Sequence, residues 1–135
     1  MSAISNLDVL ISSMQPELQG PCYVFAFLPH HSPLPEGAKM LFEEQEGWTA
    51  ILPIEQAKVL GLHYEFACRM ITLNVHSSLD AVGFLARITR HLAALGMGVN
   101  PVSAFFHDHL FVPAERAEEA LAALRQLSAE RPLPS

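Results

Sequence analysis

The stretch from Arg69 to Pro113 leaves the least freedom in how the chain can fold. From Arg69 to Val75 the residues alternate, with Ile71, Leu73 and Val75 on one face and Met70, Thr72 and Asn74 on the other. That period of two predicts a strand with one face on a core. Ser77 follows, with Asp80 three positions on, a pattern that resembles a capping box at a helix start. Val82, Leu85, Ile88, Leu92 and Leu95 then recur at helical spacing, and Gly96-Met97-Gly98 supplies a stop. Val99 to Phe106 reads as a second strand, His107-Asp108 as a tight connection, and His109 to Val112 as a third strand closed by Pro113. Ala117, Leu121, Leu124 and Leu127 mark a last helix. The predicted order is β-α-β-β-α.

The preceding residues read as a related unit. Ser5 to Asp8 predicts a helix start with Ser5 as cap, an apolar stripe of Leu7, Leu10, Ile11 and Met14, and a stop at Pro16. Gly20-Pro21 reads as a turn, and Cys22 to Leu28 as a buried strand. The Pro-rich stretch from Pro29 to Gly37, with His30-His31, reads as a solvated loop. Met40 to Glu44 and Trp48 to Leu52 form a predicted hairpin turning at Gln45-Glu46-Gly47, and Pro53 opens a short helix ending at Gly61. Leu52-Pro-Ile-Glu-Gln-Ala57 matches Val112-Pro-Ala-Glu-Arg-Ala117, and Ser5-Asn-Leu-Asp8 matches Ser77-Ser-Leu-Asp80, in the same order. This is the trace of an internal repeat. The expected units are residues 1–67 and 68–131, with 132–135 a frayed tail.

Composition removes several function classes. Half of the 135 residues are hydrophobic and 16% are charged, enough apolar material for a buried core. The formal charge of −6, with lysine only at Lys39 and Lys58 and the arginines scattered, excludes a phosphate-backbone partner. No apolar run of about 20 residues could span a bilayer. No basic region followed by an apolar core stands at the N-terminus. Cys22 and Cys68 are too few for a disulfide framework or a zinc knuckle. The expectation is a soluble cytoplasmic protein with reduced thiols, contacting neither nucleic acid nor membrane. No Gly-rich phosphate loop, nucleophile elbow or His-Glu-x-x-His helix is present, so the expectation is a non-enzyme without a cofactor.

Ile71-Thr-Leu-Asn-Val75, Gly83-Phe84-Leu85-Ala86-Arg87-Ile88 and Leu92-Ala-Ala-Leu-Gly-Met97 together resemble an ACT domain. Its pattern is a strand, a Gly-Leu-Leu-like helix start, a helix ending in glycine, and a strand. More narrowly, the chain is similar along nearly its whole length to small bacterial proteins of two ACT-like units, in which His107 to Pro113 is a characteristic stretch. The resemblance implies an α+β, ferredoxin-like fold with two such units packed in one chain. A full unit runs β-α-β-β-α-β, and the first half here lacks a leading strand while the second lacks a trailing one. Strands shared between the halves, or set in non-standard order, are therefore expected, with open edges suited to a homodimer.

The resemblance also implies a regulatory fold that binds a small-molecule effector, an amino acid above all, at the turn between strand and helix. By position, Asn74, His76, Ser77, Ser78 and Gly83 would line that pocket, with Asp80, His107 and Asp108 beside it. A helix N-terminus offers unpaired N–H groups to a carboxylate. The plainer alternative is that Ser77 and Asp80 only cap the helix. His107 and His109, with His76 as a third, could be read as metal ligands, but nothing fixes a third or a fourth, and no metal is assigned. A further alternative is that Asp108 holds a histidine by a side-chain hydrogen bond. Trp48, Phe105 and Phe106 read as core or interface. Two functions stay open beside each other: a sensor acting in trans on an unidentified protein partner, and an adaptor without ligand that works through its edges and helices. A metal-dependent enzyme built on His76, His107 and His109 is the third.

Overall fold

The computed structural model describes residue 3 and residues 6–130. The predicted cap Ser5 and the tail from Arg131 lie outside the described residues. The elements are α1 (Leu7–Ser13), β1 (Glu17–Leu28), β2 (Met40–Glu43), β3 (Trp48–Pro53), α2 (Ile54–Val59), β4 (His63–Thr72), α3 (Phe84–Ala93), β5 (Asn100–Ser103), β6 (Asp108–Pro113), a single 3₁₀ turn (Ala114–Arg116) and α4 (Ala117–Ala129). Mixed helices and antiparallel strands make this the α+β, ferredoxin-like class that the sequence predicts.

Packing divides the chain into two compact units, one of residues 21–68 and one of residues 1–20 with 69–135. β1 and β4 each cross that division, so they are strands shared by both units.

In the unit of residues 21–68 the strand order is β2-β3-β1-β4. β3 pairs antiparallel with β1 from Tyr23↔Pro53 to Leu28↔Trp48, and β2 pairs antiparallel with β3. Val24, Ala26, Leu28, Ala50 and Leu52 bury one face of this sheet with Ala57 of α2. The hairpin turns at Gly47, whose φ is +153°, and a Cβ there would stand 2.5 Å from the Leu28 carbonyl oxygen. Only glycine fits that approach. His30 Nε2 lies 2.8 Å from the Gln45 carbonyl, which ties the prolyl loop to the hairpin tip. Gly20-Pro21 is not a turn but lies inside β1. β3 pairs only from Tyr23 onward, so on that side nothing asks Pro21 for the N–H it lacks.

In the other unit β4, β6 and β5 follow one another, with β5 and β6 antiparallel from Asn100↔Phe111 to Ser103↔Asp108. Leu10, Ile11, Ile71, Leu73, Ile88, Leu92, Leu110, Val112, Leu121 and Leu124 build its core. Asn6 caps α1 by accepting from the Val9 amide at 3.0 Å. Helices α1 and α4 are tied by the Ser128 hydroxyl, which donates to the Met14 carbonyl at 3.0 Å.

The helix after β4 differs from the prediction. α3 begins at Phe84, not near Ser77, with Gly83 as its cap at φ +88°. That left-handed backbone suits glycine. The residues from Ser77 to Val82 are therefore an open turn. Phe84, Ile88 and Leu92 form the buried stripe, while Val82 is 85% exposed and Leu95 is 40% exposed. On the strand side, Met70 and Thr72 are buried along with Ile71 and Leu73, so this end of β4 is covered on both faces and its alternation is not one of burial.

Candidate functional site

The turn after β4 and the end of β5 enclose a cavity of about 160 Å³ lined by Ser77, Ser78, Leu79, Ala81, Gly83, Phe84, Leu85, Ala86, Ser103 and Asp108. Four of the sequence-predicted residues meet here: Ser77, Ser78, Gly83 and Asp108. The cavity is on the scale of an engineered protein void that admits benzene, roughly 150 Å³.

Its floor is a buried pair. The Ser77 hydroxyl donates to Asp108 Oδ2 at 2.7 Å, with Ser77 8% and Asp108 5% exposed. Asp108 is not the turn residue that its type suggests. The connection is made by residues 104–107, where the Ala104 amide donates to the His107 carbonyl at 3.0 Å. Asp108 is thus the first residue of β6, with its backbone carbonyl accepting from the Leu73 amide and its carboxylate turned to Ser77. The side-chain partner of Asp108 is that serine and not a histidine. Among the described residues no Lys, Arg or His comes within ion-pair distance of it.

The first turn of α3 lines the same cavity. The first intrahelical bond runs from the Arg87 amide to the Gly83 carbonyl at 2.9 Å. The amides of Phe84, Leu85 and Ala86 therefore have no partner within the helix, and these three residues line the cavity. The lining thus combines a carboxyl group with N–H donors of a helix start. Ser78 organises the turn between them by accepting from the Asp80 amide at 3.1 Å.

The remaining predicted residues stand elsewhere. Asn74, at φ +44°, donates from Nδ2 to the Gln15 carbonyl and to Glu17 Oε2, each at 3.1 Å, and belongs to a different cleft. His76 packs its ring 5.6 Å from that of Phe106, and Phe106 meets Phe105 edge-on at 4.9 Å. His107 Nδ1 is 3.5 Å from the Val75 carbonyl, and His109 Nδ1 is 3.0 Å from the Thr72 hydroxyl. Asp80 is exposed and enters only through its backbone. No group of three or more His, Cys, Asp or Glu side chains among the described residues could hold a metal. Sequence reasoning missed Ser103, which reaches the cavity because it is in register with Asp108. No spacing signals that register before the hairpin is known.

Two ACT-domain family models match the chain, over residues 2–69 and over residues 65–126. No curated protein matches it. Among solved structures, a protein of unknown function from Vibrio cholerae, described as a possible transport protein, is 36% identical with a TM-score of 0.80, covering 90% of this chain and 95% of its own. A protein from Agobacterium tumefaciens is 17% identical, with a TM-score of 0.72 and coverage of 85% and 89%. The ligand-free regulatory subunit of aspartate kinase from Thermus thermophilus is 14% identical, with a TM-score of 0.63 and coverage of 85% and 99%.

Proposed function

The chain belongs to the ACT-domain family, and on that premise we propose that it is a stand-alone regulatory protein that binds an amino acid and acts in trans on a partner protein. ACT domains are in general regulatory rather than catalytic modules that bind small-molecule effectors, often amino acids, and they often dimerise. Among the described residues no helix is long and apolar enough to cross a membrane.

The observation that carries the reading is that the lining of one cavity of about 160 Å³ includes both the buried Asp108 and the first-turn residues Phe84 to Ala86, whose amides no intrahelical bond occupies. An α-amino acid carries the complementary pair of charges. Its ammonium would meet Asp108, and its carboxylate the first turn of α3. The carboxylate would then sit past Gly83, on the amides of the helix proper. A ligand that bridges β6 and α3 would favour the arrangement in which these two are close, which is the differential affinity that a regulatory switch needs.

A second reading is favoured by a separate observation. Phe105 and Phe106 are 72% and 61% exposed, and Val82 is more so, all on segments that border the cavity. Such apolar surface suits a protein contact, whether in a homodimer or in an adaptor that needs no ligand. A thermal-shift screen against the amino acids separates the two. A ligand at about 100 times its dissociation constant adds about 2.7 kcal/mol, several degrees for a domain of this size. A hit that disappears in Asp108→Asn supports the sensor, and no hit across the panel supports the adaptor.

A further inference from the structure

A second cleft, larger than the first, is lined by Ser12, Ser13, Met14, Gln15, Pro16, Glu17, Asn74, Arg125, Ser128 and Ala129 and has a volume of about 840 Å³. It lies where the end of α1, the start of β1, the end of β4 and the end of α4 meet. Its walls carry one cation and one anion. Arg125 has no ion-pair partner among the described residues, and Glu17 has none either. Both line one opening, yet they stand farther apart than the 4.0 Å of an ion pair.

Glu17, exposed at the rim, accepts a hydrogen bond at Oε2 from Asn74 Nδ2 at 3.1 Å. That leaves Oε1 free to accept. Asn74 itself is fixed by a second bond to the Gln15 carbonyl and takes the left-handed backbone at φ +44°, a conformation that a non-glycine residue holds only where its surroundings enforce it. The Ser128 hydroxyl directs its proton to the Ser12 and Met14 carbonyls and keeps lone pairs for a donor. Arg125 offers a planar fork suited to a carboxylate.

We propose that this cleft is a second ligand site, which takes a zwitterion by its two charged groups: the carboxylate on Arg125 and the ammonium on Glu17. Its volume, several times that of the Asp108 cavity, leaves room for an amino acid with a long side chain. The site goes beyond the effector pocket and uses none of its residues.

The test is isothermal titration of the full chain with arginine, glutamine, methionine and phenylalanine. The amine and the N-acetyl derivative of each serve as controls. Titrations are repeated in Arg125→Gln, Glu17→Gln and Asp108→Asn, each checked for unchanged circular dichroism. The expected result is that at least one of these amino acids binds, that removing either charge from it abolishes the heat, and that Arg125→Gln and Glu17→Gln each weaken it at least tenfold. Asp108→Asn leaves it unchanged. Binding that survives both cleft variants and fails in Asp108→Asn overturns the second site and leaves the first reading standing. Equal binding of amine and amino acid, or no binding of any of the four, also overturns it. The first reading is decided separately, on small amino acids and on Asp108→Asn.

Discussion

Ser77 and Asp108, 31 positions apart in sequence, meet in a hydrogen bond of 2.7 Å inside the protein, serine hydroxyl to aspartate Oδ2. The bond joins the turn that follows β4 to the first residue of β6, and so sets the spacing of the cavity walls. Removing the donor leaves a buried carboxylate without its side-chain partner. Such a group costs about 1–3 kcal/mol, and a charged one more. Ser77→Ala should therefore lower the melting temperature by several degrees. Asp108→Asn keeps the volume and an acceptor oxygen, and should lower it less. Differential scanning calorimetry of the two variants decides the ranking.

The start of α3 at Phe84 has a consequence for its apolar residues. Ile88 is wholly buried, and its truncation to alanine should cost about 2–5 kcal/mol. Val82, in the turn and mostly exposed, should tolerate the same change within about 0.5 kcal/mol. Urea unfolding of both variants measures the two costs. A helix running from Ser77 would make them alike.

Cys68 is fully buried in β4, donates to the Tyr23 carbonyl at 3.3 Å, and has its thiol pushed up to about 12 by burial and by the neighbouring Cys22. It should resist alkylation at pH 8 in the folded protein, while the half-exposed Cys22 reacts. The unfolded chain releases this proton near 9.0 and the folded one near 12, so the folded state holds the proton more tightly. Stability from this source is complete below pH 9.0 and falls as pH rises from there toward 12. Mass spectrometry after iodoacetamide treatment and a pH series of melting temperatures check the two statements.

Arg116 joins the end of α3 to the start of α4. Its guanidinium donates to the Leu95 and Gly96 carbonyls at 2.8 and 3.1 Å and to Glu119 at 2.9 Å. The hydrogen bond from Arg116 holds the Glu119 carboxyl below its ordinary value of 4.5. A depressed carboxylate contributes stability above its unfolded pKa, and that contribution fades as pH falls through the lower folded value. Both groups face solvent, so the effect is small. Arg116→Ala should flatten the acid side of the melting profile below pH 4.5 and speed amide exchange in the last turn of α3.

The order β-α-β-β-α from Arg69 onward was legible because each element carries its own period and its own stop: Gly96 after α3, Pro113 as the last residue of β6. Elsewhere two local rules misled. Ser77 and Asp80 have the spacing of a capping box, yet Ser77 is claimed by Asp108, a partner that no local pattern announces. Asp108 has the type of a turn residue, yet the chain turns before it. Of the cavity lining, Ser77, Ser78 and Gly83 could be named in advance because they lie on the turn from β4 to α3. Ser103 could not, since it arrives through strand register. The second cleft was invisible for the same reason: Glu17, Asn74 and Arg125 share no segment and are gathered only by the packing of α1 and α4.

The most direct measurement is a calorimetric titration, side by side on the wild-type chain and on Asp108→Asn, with the small amino acid that most raises the melting temperature. The account predicts binding at least tenfold weaker in Asp108→Asn than in the wild type, and unchanged affinity in Arg125→Gln. Equal affinity in the wild type and in Asp108→Asn would contradict it, because an amino acid that ignores Asp108 is not held by the cavity beneath α3.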